Sequence, residues 1–116
     1  MKPCLFDSFA DMIGTLSTAA VLRTLERERG LLESDLAHQR FSSPMEVSSI
    51  LSFCWFVEAI RQRWSTFAIP APLTHLAFYR TTLHRLVAAG ELPAEAKTRF
   101  DETFGPNRPA ATRLFA

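Results

Sequence analysis

The segment from Ser43 to Trp64 limits what this chain can fold into more than any other stretch. Ser43-Pro44-Met45-Glu46 has the parts of a strong helix start: a hydroxyl to cap free amide groups, a proline suited to the first helical position, and a carboxylate three residues after the cap. The helix it opens is expected over about 44–65 and is too apolar for an ordinary surface helix. At about 100° per residue, Ile50, Phe53, Phe56, Val57, Ile60 and Trp64 gather on one side and predict a core face. Val47, Leu51, Cys54 and Trp55 form a second apolar side. A helix apolar around most of its circumference has to be covered. Either the first helix covers the second side, making this the central helix of a bundle, or that side meets a second copy or another protein.

The remaining segments also read as helices. Leu5, Phe9, Met12, Leu16 and Ala19 recur in steps of four and three, which predicts a first helix from about Asp7 to Arg29. Its stripe drifts from Leu22 and Leu25 onward, so its two halves should touch different neighbours. Gly30 is expected to end it, with Leu31 folding back on Leu25. Leu32, Leu36 and Phe41 could line a short helix started by Ser34 or Asp35. After the Pro70 and Pro72 connector, a third long helix reaches from Pro72 to Ala89 and closes at Gly90, with Leu73, Leu76, Tyr79, Leu83, Leu86 and Val87 as its stripe. Pro93 opens a last helix that aligns Ala96, Phe100 and Phe104 and stops at Gly105-Pro106. Residues 106–116 form a C-terminal tail, in which Leu114-Phe115 could dock. The expected fold class is all-α: a compact four- or five-helix bundle or orthogonal helical array, one domain over 1–105.

Composition narrows the setting. With ten Phe beside one Tyr and two Trp, the aromatic content predicts interior bulk, because wet interfaces favour the tyrosine hydroxyl. Two cysteines, Cys4 and Cys54, are too few for a disulfide framework, and no secretory leader opens the chain, so a reduced, cytoplasmic location is expected. The apolar run Ile50 to Ile60 contains Ser52 and Glu58 and falls short of the roughly 20 residues that span a bilayer, so no membrane partner is expected.

Net charge is only +1, yet residues 1–60 hold five basic and eight acidic groups (−3) and residues 61–116 hold eight and four (+4). No acidic residue lies between Ala59 and Gly90, where Arg61, Arg63, Arg80 and Arg85 accumulate with His75 and His84. This distribution fits a solvated surface with attraction between the two halves, or a basic side for an anionic partner. Thr81 to Leu86, followed by Gly90-Glu91-Leu92-Pro93, resembles the recognition helix and exit of small helix-turn-helix regulators. The preceding helix and tight turn of that motif are missing, since Leu73 to Tyr79 reads as continuous helix.

Recognisable chemistry is sparse. His75 and His84 are nine residues apart and point to opposite sides of one helix, and the cysteines lack chelating spacing, so no metal and no cofactor is expected. There is no Gly-rich phosphate loop, HExxH or GxSxG. Cys54 stands in an apolar run that would keep its thiol protonated. Glu58 borders the second apolar side, where desolvation could suit a general acid, but Arg61 and Gln62 one turn ahead can pair with it. The function expected from sequence is therefore a small non-enzymatic helical interaction or regulatory module, self-associating through Val47, Leu51, Cys54 and Trp55 or meeting another protein there. The alternative is a nucleic-acid-binding regulator using Arg80, His84 and Arg85.

Overall fold

The computed structural model describes residues 5–38, 43–67, 73–104 and 112–113. Cys4, Phe41, Pro70, Pro72, Gly105-Pro106 and Leu114-Phe115 lie outside the described residues, as do the side chains of Leu73 and Phe104. The fold is all-helical: α1 (Leu5–Thr15), α2 (Thr18–Ala37), α3 (Pro44–Gln62), α4 (Leu73–Ala88) and α5 (Glu95–Phe104). Two residues, Thr66–Phe67 (β1), pair antiparallel with Thr112–Arg113 (β2) in the register Thr66 to Arg113 and Phe67 to Thr112. Among the described residues, no helix is long and apolar enough to cross a membrane.

The single helix expected from Asp7 to Arg29 is two. Ser17 is extended (φ −64°, ψ 156°), and its carbonyl accepts the amides of Ala20 and Val21 at 3.0 and 3.1 Å to start α2. The break is stabilised from a distance. Arg85 of α4 donates to the carbonyls of Leu16 at 2.7 Å and Ile13 at 3.4 Å, satisfying groups that a continuing helix would have bonded internally. A cation there also meets the negative end of the α1 dipole. The drift of the stripe at Leu22 thus marks a bend.

Gly30 does not end a helix either. It lies inside α2, which continues to Ala37 and closes at His38, whose amide bonds the Ser34 carbonyl at 3.0 Å. Leu31 stays 53% exposed instead of folding back on Leu25. A mid-helix glycine costs only about 1 kcal/mol relative to alanine, too little to stop a helix whose flanking turns are otherwise sound.

The capped start of α3 is as expected. Ser43 is extended and its hydroxyl accepts the Glu46 amide at 3.4 Å, with Pro44 in the first turn. The end comes earlier than expected. Arg63 adopts the left-handed conformation (φ 57°), and the amide of Trp64 bonds the Ala59 carbonyl at 2.9 Å. That turn takes Trp64 off the helix, so it leaves the expected core face and is 42% exposed. Gly90 closes α4 in the same manner at φ +79°, with the Glu91 amide on the Leu86 carbonyl at 2.9 Å.

Helix α3 is central. Ile50, Phe53, Phe56, Val57 and Ile60 are all buried. Phe53 stacks on Tyr79 of α4 with ring centres 4.4 Å apart, and Phe56 meets Phe100 of α5 edge-on at 5.5 Å. Phe6 and Phe9 carry α1 onto Phe78 and Tyr79 of the same α4. The phenylalanine side chains described supply interior bulk at these junctions.

Candidate functional site

The side of α3 formed by Val47, Leu51, Cys54 and Trp55 is enclosed within the chain. Val47, Leu51 and Cys54 are buried and Trp55 is half-buried. Helix α2 lies along this side, its first half at Cys54 and its second half at Trp55. Leu22 and Leu25 face Cys54 and Val57 around a void of about 10 Å³, room for no more than one water. Polar groups seal the edges of the seam. Arg29 pairs with Glu58 at 3.2 Å, Arg61 pairs with Glu26, and the Trp55 indole donates to Glu33 at 2.7 Å. Glu58 also accepts from Gln62 at 3.2 Å and lies 4.0 Å from Arg61, so its role is pairing, with Arg29 as the partner the sequence did not reveal. Burial first, and then the carboxylates of Glu28 and Glu33, push the Cys54 thiol up to about 12, which keeps it protonated and unreactive.

The basic residues do not converge. Arg80 pairs with Asp101 at 3.2 Å and lies over the Phe100 ring, 5.5 Å from its centre. Arg85 is turned onto the end of α1. His84 alone of the three is exposed without such a partner among the described residues. A surface that tracks phosphates needs its cations on one face, and these three serve three different surroundings.

A buried polar cluster joins α3 to α4 and was invisible in the sequence. The Ser49 hydroxyl lies 2.6 Å from His75 Nδ1 and 2.9 Å from the Tyr79 hydroxyl. Phe6 covers the imidazole face to face, with ring centres 3.6 Å apart and planes within 2°. Burial holds the imidazole below its ordinary 6.5, against the opposing influence of Glu46 and Asp7, and burial also raises the Tyr79 phenol. With neutral His75 protonated on Nε2, one chain satisfies every group: Tyr79 donates to Ser49, and Ser49 donates to Nδ1. A serine beside a histidine suggests a nucleophile and its base. Ser49 is wholly buried, however, and lines neither the void beside Cys54 nor the opening between α1 and α2. Among the described residues, no three His, Cys, Asp or Glu side chains group as metal ligands.

An opening exists elsewhere, between α1 and the second half of α2. Because its aromatic residues and its capped end attach α1 to α4, it stands off from α2 and leaves a groove of about 210 Å³. Leu5, Phe9 and Met12 face Leu32 across it, over Ile50 of α3, while Ser8 and Glu28 supply its polar lining. Leu5 is 37% exposed, and Leu31 and Leu36, next to Leu32 and one turn beyond it, are 53% and 44% exposed. The signal for this groove was the leucine spacing after Gly30, which reads as a separate short helix unless α2 is known to continue. The chain matches no protein-family model, no curated protein and no solved structure, so its function has to be argued from this geometry.

Proposed function

We propose that this chain is a non-enzymatic helical interaction module that meets another protein through the α1–α2 side. The reading keeps the interaction role expected from sequence and moves its surface, because Val47, Leu51 and Cys54 are buried within the chain. One observation carries it: the groove is mostly apolar, Leu5 in its lining is exposed, and on α2 Leu31 and Leu36 are exposed next to and one turn beyond Leu32, which also lines it. Single exposed leucines are ordinary, whereas a group around a concavity is typical of contact surfaces. A groove of about 210 Å³ is also below the roughly 300–1,000 Å³ of small-molecule sites, which favours side chains of a protein over a cofactor or substrate. The free, buried thiol of Cys54 supports a cytoplasmic setting.

A photoreactive residue replacing Leu31, compared with one replacing exposed Lys97 on α5, tests this reading in cells that make the protein. Discrete cross-linked adducts from position 31 and not from 97 are expected. An adduct of twice the chain mass would identify the partner as a second copy. Equal yields from the two positions would overturn the proposal.

A further inference from the structure

We infer that the α1–α2 groove receives an amphipathic helix of a partner protein, which inserts one large apolar side chain and presents lysine or arginine about one turn away. The inference rests on the interaction reading above and specifies the chemistry of the partner.

Size sets the first part. A cavity of about 150 Å³ holds a benzene ring, so a groove of about 210 Å³ accepts one leucine or aromatic side chain and no more. The walls set the second. Both are helices whose backbone groups are bonded internally, which leaves no strand edge for an extended peptide; the recognition mode open to such walls is a helix laid into the groove. Leu31 and Leu36 continue the apolar surface along α2 beyond the cavity.

Charge sets the third part. Helix α1 carries Asp7 and Asp11 and no basic residue. From Gly30 to Ala37, α2 carries Glu33 and Asp35 and no basic residue. Asp7, Asp11 and Asp35 have no ion pair among the described residues. Glu28 lines the groove with its side chain 22% exposed, and its contact with Arg27 is at 4.0 Å, the outer limit of an ion pair. Asp35 follows Glu28 by seven residues, two turns along the same face of α2. Arg27 is a cation at this border, its guanidinium 3.8 Å from the Met12 sulfur, but Asp7, Asp11, Glu28 and Asp35 outnumber it, so the slot favours an apolar anchor with cations beside it over an anionic helix. Of the arginines of α4 and α5, Arg80 and Arg99 are paired and Arg85 is turned inward, which leaves a second copy only Lys97 and His84 on those helices to offer the groove.

The test uses the full chain and three labelled synthetic peptides: an amphipathic helix of Leu and Lys, the same pattern with Glu for Lys, and a scrambled Leu/Lys sequence without a helical face. Fluorescence anisotropy at moderate salt should show the first binding at least about tenfold tighter than either of the others. Ser8→Trp, at an exposed lining position, should fill the groove and weaken that binding about tenfold or more. Glu28→Gln should weaken it about threefold or more, with circular dichroism confirming an unchanged fold in both variants. Binding that disappears with salt but ignores Ser8→Trp would show attraction to acidic surface alone and overturn the inference. Absence of any Leu/Lys preference would overturn it as well, and so would a dimer of the free protein abolished by Ser8→Trp. Adducts at position 31 without groove-dependent peptide binding would leave the interaction role standing and this inference fallen; equal adduct yields at positions 31 and 97 would bring down both, whatever the peptides do.

Discussion

The two halves of α2 do different work, and Gly30 divides them. From Thr18 to Arg29 the helix buries Val21, Leu22 and Leu25 and fastens itself to α3 with charged side chains. From Leu31 to Ala37 only Leu32 is buried, while Leu31 and Leu36 face solvent. Apolar residues at helical spacing therefore do not by themselves say whether a face is closed or open. What decides is the neighbour. Helix α3 runs along both halves, with Glu26 and Arg29 of the first and Glu33 of the second bonded to it, but the second half also borders the groove toward an α1 that Arg85 and the aromatic residues attach to α4.

The strongest way to break this contrast is truncation on its two sides. Leu51→Ala should cost about 2–5 kcal/mol, since it empties a closed site, while Leu31→Ala and Leu36→Ala should each stay within about 0.5 kcal/mol in urea unfolding. A Leu31→Ala cost close to that of Leu51→Ala would place the second half in the core. Arg85→Met should be next in size, at about 1–3 kcal/mol, because the carbonyls of Ile13 and Leu16 lose their charged donor. Amide exchange should then rise in α1 more than in α3; a uniform rise would mean that α1 is not held separately.

Acid should act on the same attachment of α1. His75 is neutral in the fold and its affinity for a proton is lowered there, so the unfolded chain binds the proton first as pH falls through 6.5. Stability contributed by His75 is thus complete above 6.5 and declines from there toward the lower folded value. Urea midpoints of the wild type and His75→Gln, measured from pH 7.5 to 5, should converge as the pH drops; parallel curves would remove His75 as the cause. The smallest effect expected is a gain. A Cβ at Gly30 would meet nothing within 4 Å, so Gly30→Ala should stabilise by up to about 1 kcal/mol and stiffen the division within α2. A loss would show that the glycine is needed for a bend.

Local signals made much of the fold legible. The Ser43 cap, the Gly90 terminus and the α3 core face from Ile50 to Ile60 depend on residues a few positions apart, and each formed as its spacing predicts, with Trp64 the exception at the helix end. Boundaries decided by distant partners were hidden. Nothing near Leu16 announces a helix end, because the donor that ends it, Arg85, is 69 residues away. Gly30 misled for the opposite reason: its local preference is real but smaller than the stability of the turns around it. Ser49, His75 and Tyr79 come together only through the packing of α3 on α4. The groove is a gap between helices, and a gap has no residue pattern of its own.

Pairing Thr66–Phe67 with Thr112–Arg113 closes the backbone into a loop that contains all of α4 and α5. Closing such a loop has an entropy cost that grows with the logarithm of its length, and two paired residues return little against it. Contacts between helices adjacent along the chain can form earlier, so the ladder fastens over helices that are already made. It behaves as a clasp and not as a nucleus. Changes there should alter how fast the folded chain opens while leaving the speed of folding nearly untouched.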